Sequence, residues 1–410
     1  MIVVTILRHR GRVLLTRSAG PWDAPRIGRR GGESPETAAR RVARDVLDTA
    51  VTVVRSSSTR GDDGGAGRAV LLEPAARLDA VSGVLTPDFD DGESEWVHPP
   101  AILRCDTVSG LWRAYERVAP TLRTVVADDE HGSTWLSVRA LEVLRDRAGL
   151  LSARGDDGAD PAELVDLADR LQRTRPGMAA VRNRIDRAMA DATEWTAPAV
   201  ERAAVDGVDR AVDADREAAA RAAEQLPDSV LTLSRSGTVL RALRAADVET
   251  VYVAESRPGR EGVDTAETLA RSGRRVVVHT DAAVGTVLAE RADAVLVGAD
   301  AVRADGAVVN KTGTRTAATA AAGEGVPVYV VAASDKVATG PVRVEADASD
   351  LYDGGARVET YDPVFDVTPP DLVDGLVTER GRLSTDEVAT LADDLAALAD
   401  WPASDAADPD

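Results

Sequence analysis

Lys311 follows Asn310 and stands just before Gly313-Thr314 in the stretch GADAVRADGAVVNKTGT (298–314). The chain has one other lysine, Lys336, and every remaining basic side chain is arginine. A lysine kept where arginine is the rule points to a task for a compact ammonium, such as gripping an oxyanion. Gly313-Thr314 would open a helix over residues 315–323, and a helix N-terminus offers free backbone N–H groups to an anion. The plainer reading of these residues is an ordinary helix cap beside a surface lysine. Asp300 would face the same crevice, where a carboxylate can bind sugar hydroxyls or carry protons.

Short β-branched runs at 229–233, 249–254, 274–278, 294–298 and 327–333 alternate with helical segments. That alternation implies parallel strands joined by crossover helices, hence an open doubly wound sheet. Ligands bind such sheets beyond the carboxyl ends of the strands. The ends are polar each time: Ser234-Arg235-Ser236, Glu255-Ser256-Arg257, Thr280-Asp281, Asp300 and Ser334-Asp335-Lys336. Any one of them also reads as an ordinary loop residue.

The rest of the chain divides around Asp128-Asp129-Glu130-His131-Gly132. Before that break, 2–7 and 12–16 read as strands joined by a turn from Arg8 to Gly11. Ser34 caps a helix with Pro35 at its first position, and further strands fall at 68–72 and 94–97, giving an α+β unit. After the break, helical spacing dominates, with an alanine- and arginine-rich helix or helix pair over 199–225 and a last helix from Ser384. The fold class expected is therefore α/β: an α+β unit at 1–125, then 128–402 with a helical subdomain (128–226) and a Rossmann-like doubly wound parallel sheet (227–402).

At 410 residues and net charge −20, the chain is too large for one ordinary core and repels polyanions, so bulk nucleic-acid binding is excluded. High acidity with almost no lysine suits a cytosol of molar salt, where the Debye length is roughly 3 Å. A halophilic, cytoplasmic protein is expected, since no apolar run approaches a membrane span and no leader opens the chain. The lone Cys105 can form no internal disulfide, and no zinc-type spacing occurs.

The blocks VYVAESRPGREG (251–262), VLVGADAVRADGAVVNKTGT (295–314), GVPVYVVAASDK (325–336), FDVTPPDLVDGLVTERG (365–381) and TRPGMAAVRNRI (174–185) carry a resemblance. Together they resemble the family of translation initiation factor 2B alpha, beta and delta subunits, which includes methylthioribose-1-phosphate and ribose-1,5-bisphosphate isomerases. The resemblance runs from near His131-Gly132 to about residue 400. It implies that Asp300 matches the isomerases' catalytic aspartate, and that Arg175, Arg257, Asn310 and Lys311 match ligand-binding positions. Ser234 stands where the isomerases carry a catalytic cysteine, and a hydroxyl is a far weaker acid than a thiol of pKa about 8.5. The resemblance also implies a homodimer or a homologous partner subunit.

VLLTR (13–17), Trp22, GGESPETAARRVARDV (31–46) and EWVHPPAIL (95–103) resemble a Nudix domain. Glu33 and Arg41 keep that family's structural E-x7-R spacing. Its three metal-binding glutamates fall here on Val42, Asp45 and Val46, and one carboxylate cannot replace three around Mg²⁺. No cofactor is expected, Mg²⁺ entering only if this unit were active.

Three functions follow. The first is a regulatory member of the initiation factor family that binds a sugar phosphate or nucleotide, beside a Nudix unit that has lost hydrolysis. The second is a sugar-phosphate aldose–ketose isomerase using Asp300, with Ser234 in the cysteine's place. The third is a Nudix hydrolase of nucleoside diphosphate derivatives. Loss of the cysteine and of the metal glutamates favours the first.

Overall fold

The apolar run that opens the chain is continuous rather than alternating, because both faces of its strand are covered. In the computed structural model, which describes residues 1–48, 50–60, 66–74, 87, 92–128, 131–155, 161–342, 346–347 and 356–401, this strand is β1 (Ile2–His9). It is followed by β2 (Arg12–Arg17), β3 (Arg26–Gly28), α1 (Pro35–Leu47), β4 (Val51–Arg60), β5 (Ala66–Pro74) and β6 (Glu93–Val97). The sheet runs β4-β5-β1-β2-β6 with β3 also on β1, and only β1 and β5 are parallel. Helix α1 begins at Ser34, whose hydroxyl accepts from the Thr37 N–H, and packs Val42 and Val46 against Val3, Leu7, Leu14 and Leu72. On the other face, α2 (Leu111–Glu116) sets Leu111 and Tyr115 against Ile6, Leu15 and Leu71.

The expected turn from Arg8 to Gly11 is shorter than the sequence suggests. Arg8 lies inside β1 and is buried, with its guanidinium paired to Glu73 and, at 3.3 Å, to Glu142. A partner so far along the chain leaves no local signal, so a buried arginine reads as a turn residue. The strand β4 was not expected either, since its second half, SSST, is polar and its outward face is only partly covered.

After α3 (Leu122–Val126), four helices follow: α4 (Ser133–Ala153), α5 (Pro161–Gln172), α6 (Ala179–Asp191) and α7 (Ala197–Ala223). They share one core through Leu136, Leu141, Leu144, Leu171, Ile185 and Val200. The stretch read as a helix or a pair is the single helix α7, whose small alanines let α4 approach closely.

The remaining elements are β7 (Ser229–Leu233), α8 (Gly237–Ala245), β8 (Thr250–Ala254), α9 (Glu261–Arg271), β9 (Arg275–His279), α10 (Val284–Glu290), β10 (Ala294–Val297), β11 (Ala301–Val302), β12 (Val308–Lys311) and α11 (Thr314–Glu324). They continue as β13 (Val328–Val331), β14 (Ala346–Asp347), β15 (Asp362–Pro363), β16 (Phe365–Thr368), β17 (Gly375–Thr378), β18 (Gly381–Leu383) and α12 (Thr385–Ala397). The main sheet runs β18-β17-β13-β10-β7-β8-β9 and is parallel except for β18. Strand order reverses between β7 and β10, which places a crevice beyond their carboxyl ends. A small sheet, β11-β12-β16, begins with the chain that leaves β10. Among the described residues, no helix is long and apolar enough to cross a membrane.

The first unit seats on α4 and α7 through charges. Arg139 pairs with Glu142 at 2.8 Å and with Glu73 at 3.1 Å, so Arg8 and Arg139 close a tetrad with Glu73 and Glu142. Arg145 donates to the Gly11 carbonyl at 2.7 Å. Gly11 has φ 75°, and a Cβ there would meet Val208 of α7 at 2.4 Å, so only glycine lets the β1–β2 turn reach this deep.

Candidate active site

Asp300 follows β10 at the point where strand order reverses, and its backbone N–H donates to the Val309 carbonyl at 2.9 Å. Burial pushes its carboxyl above the ordinary range, against the opposing pull of Lys336, Ser133 and Lys311. Both lysines of the chain therefore act on one carboxylate. Lys336, buried, donates its Nζ to the Ala299 carbonyl at 2.7 Å. Burial pulls that ammonium below its ordinary pKa, while Asp215 and Asp300 draw it back up. Ser133, the first residue of α4, turns its buried hydroxyl and its backbone N–H toward the Asp300 carboxylate and lowers its pKa.

Lys311 ends β12 and donates to Glu261 Oε1 at 2.7 Å, tying the small sheet to the first residue of α9. Ser234 follows β7 with φ 58°, and Ser256 follows β8 with φ 62°. Each left-handed residue costs roughly 1–2 kcal/mol without glycine's freedom, and such outliers cluster at functional sites. Contacts fix both: the Ser234 N–H donates to Ser256 Oγ at 2.7 Å, and Thr265 Oγ1 donates to the Ser234 carbonyl at 2.6 Å. Asp281 accepts the Ser256 and Arg257 N–H groups at 2.8 and 2.7 Å. The Arg257 side chain is exposed and pairs with Glu255 at 3.3 Å. Gly298, between β10 and Asp300, has no room for a Cβ, which would meet Ser236 Oγ at 2.8 Å.

Two expectations about the α11 entrance change. The N–H groups of Gly313 and Arg315 are not free, because Asp366 of β16 accepts from both, at 2.8 and about 3.1 Å. β12 pairs with β16 in a register that sets Asn310 opposite Asp366, so a residue more than fifty positions away supplies the cap. Asn310 is buried and donates to Thr314 Oγ1 at 2.9 Å, a second bond within the same entrance. Arg175 reaches elsewhere: its guanidinium donates to carbonyls of Val125, Val126 and Asp128, in the segment leading to α4.

Lys336, which the sequence offered only as one of several strand-end residues, is drawn to the site by the structure. The scarcity of lysine that singles out Lys311 applies equally to Lys336, and it also follows a strand. Its placement is fixed by a buried network that sequence does not reveal: Arg184 joins Asp335 at 3.1 Å and Asp215 at 3.2 Å, and Asn183 donates to the Asp335 and Val337 carbonyls.

A sequence model of the initiation factor 2 subunit family matches residues 129–385, well over half of the chain. The chain belongs to the initiation factor 2 subunit family. This family member is 31% identical over 306 residues to the ribose 1,5-bisphosphate isomerase of Haloferax volcanii, covering 68% of the chain and 94% of that protein. It is 39% identical over 173 residues to the methylthioribose-1-phosphate isomerase of Pseudomonas savastanoi, a match spanning 38% of the chain and only 48% of that relative. The translation initiation factor eIF-2B of Pyrococcus horikoshii OT3 superimposes with a TM-score of 0.56 at 30% identity, over 64% of this family member and 94% of that chain. The family match begins at residue 129, leaving the first unit to be read from its own residues. The two isomerases favour the second of the three functions drawn from sequence over the regulatory reading placed first.

Proposed function

We propose that the crevice at Asp300 interconverts a phosphorylated aldose and ketose of pentose size. Opening an aldose 1-phosphate ring needs a proton at the ring oxygen. Forming the ketose then takes the proton from the C2 hydroxyl as hydrogen passes from C2 to C1. A carboxyl whose pKa is raised by burial can give the first proton and accept the second. The observation that carries the reading is the convergence of both lysines and the buried Ser133 hydroxyl on Asp300. Lys311, shared with Glu261, would turn to a substrate phosphate, and Lys336 would hold the charge of Asp300 once it has lost its proton. The names of the two isomerase relatives support the same substrate class.

The test is ³¹P NMR of the full chain with ribose 1,5-bisphosphate, where a ketose bisphosphate is expected to accumulate. Ser234→Cys should raise that rate at least roughly tenfold by adding a second proton donor beside Asp300, since a thiol of pKa about 8.5 is a far stronger acid than a hydroxyl. A rate unchanged in the cysteine variant would show that residue 234 takes no part in proton transfer. The regulatory reading is favoured by one observation, the serine at 234. Tight binding of the bisphosphate with no conversion by either protein would establish it instead.

We further infer that residues 1–125 form a Nudix-type unit without hydrolytic chemistry. Glu33 and Arg41 pair at 2.9 Å, bracing the loop before α1. Val42 and Val46 are buried in the core under α1, and Asp45 alone of the three positions faces solvent. These residues do not fit a Mg²⁺ site, and no group of three metal-ligating side chains occurs among the described residues. The full chain with Mg²⁺ and ADP-ribose is expected to release no product. Multiple-turnover release that Asp45→Ala abolishes would overturn this.

A further inference from the structure

A cleft of about 510 Å³ opens between the first sheet and the start of α4, a volume suited to a small organic ligand. Its lining has two characters. Leu71, Val118 and Leu136 form an apolar wall, and Arg8, Arg55 and Arg139 bring three guanidiniums to the other side. Glu73 and Glu142 balance two of these cations, Arg8 and Arg139. Arg55 pairs with no carboxylate among the described residues; its Nη1 donates only to the Ala119 carbonyl at 2.8 Å. Burial and the neighbouring charge of Arg8 both press its pKa down, and no anion lifts it. The buried Nε of Arg139 has no hydrogen-bond partner either.

The backbone is built to bring Arg55 there. Successive side chains of a regular strand point to opposite faces, yet Val54 and Arg55 both line the cleft. The cause is a β-bulge: Val53 pairs with Leu72 and Arg55 with Leu71, leaving Val54 without a partner on β5. Bulges re-aim side chains in this way and gather beside functional sites.

We propose that this cleft is a second binding site, taking a phosphate monoester with an apolar or planar body. The phosphate would accept from Arg55 and from the unpaired Nε of Arg139, since planar guanidinium forks match phosphate oxygens. The body would lie on Leu71, Val118 and Leu136, a wall that a bare inorganic ion would leave wet. Asp128 stands at the rim with its carboxylate 2.9 Å from His131 Nδ1. The site shares no lining residue with the Asp300 crevice and stands whether or not that crevice isomerises sugars.

The experiment is isothermal titration calorimetry of the full chain with phenyl phosphate, inorganic phosphate and phenol. Phenyl phosphate is expected to bind saturably, inorganic phosphate at least about tenfold more weakly, and phenol not at all. Arg55→Gln should weaken phenyl phosphate binding roughly tenfold or more. Val54→Trp fills the cleft from a position 37% exposed, so the fold is kept and binding is lost. Lys311→Ala should leave the affinity unchanged. The proposal is overturned by no saturable heat from phenyl phosphate up to about 10 mM, the weak end of measurable affinity. Equal affinity in the Arg55 and Val54 variants, or binding lost in the Lys311 variant, overturns it as well.

Discussion

Asp300→Asn is expected to lower pentose-phosphate isomerisation by roughly 10²–10⁴-fold, the usual worth of a positioned proton carrier, with binding changed little. Asparagine keeps the size and a hydrogen-bonding oxygen, so contacts to sugar hydroxyls survive while the exchangeable proton is gone. The effect should appear in kcat, with KM within a few-fold. The pH dependence has a definite sign. The folded pKa of Asp300 lies above its ordinary value because of burial, so the protonated form persists to higher pH than in an exposed aspartate. Ring opening by this acid should fail as pH rises through the folded pKa. The same shift makes a stability contribution that is complete below the unfolded pKa near 3.9 and is lost as pH rises through the folded value. An asparagine variant that turns over at nearly the parent rate would remove Asp300 from the chemistry.

Glu142→Gln is expected to destabilise the chain by about 3–5 kcal/mol, the cost of taking one partner from a buried ion cluster. Glu142 is fully buried between Arg8 at 3.3 Å and Arg139 at 2.8 Å, and its neutral replacement leaves Glu73 alone against two guanidiniums. At about 2–4 °C per kcal/mol, thermal unfolding should begin on the order of 10 °C lower. A pH series separates charge from packing. Burial raises the Glu142 pKa, but Arg139, Arg8 and Arg145 outweigh it and hold it below the ordinary value. Its stabilisation is therefore present above the unfolded pKa near 4.3 and fades as pH falls through the folded one. Parent and variant should converge in stability in that acid window. A constant gap across the series would mean that shape, not charge, holds the two units together.

The parallel strands were legible because each is a short β-branched run bounded by polar loops, and Ser229–Leu233 falls where the pattern puts it. Caps written into local sequence were equally plain: Ser384 accepts the Glu387 N–H while Glu387 answers the Ser384 N–H. What sequence hid is what distant residues do for one another. Asp366 takes the N–H groups that Gly313-Thr314 seemed to leave open, and nothing near residue 313 announces it. Arg8 passed for a turn residue because its carboxylates lie 65 and 134 positions away. Lys336 looked like a loop lysine until the Arg184–Asp335 pair fixed its backbone beside Asp300. Residue type marked the chemistry, and tertiary pairing decided which marked residues meet.

The ion tetrad also sets a timetable for synthesis. Arg8 leaves the ribosome before Glu142, which follows 134 positions later. At about 5–20 residues per second, the strand waits on the order of ten seconds for its second carboxylate. During that interval the β1–β2 turn carries an arginine built for burial with no helix to bury it, and Gly11 has no α7 to rest against. The contacts that seat the first unit can thus close only after α4 and α7 have been made.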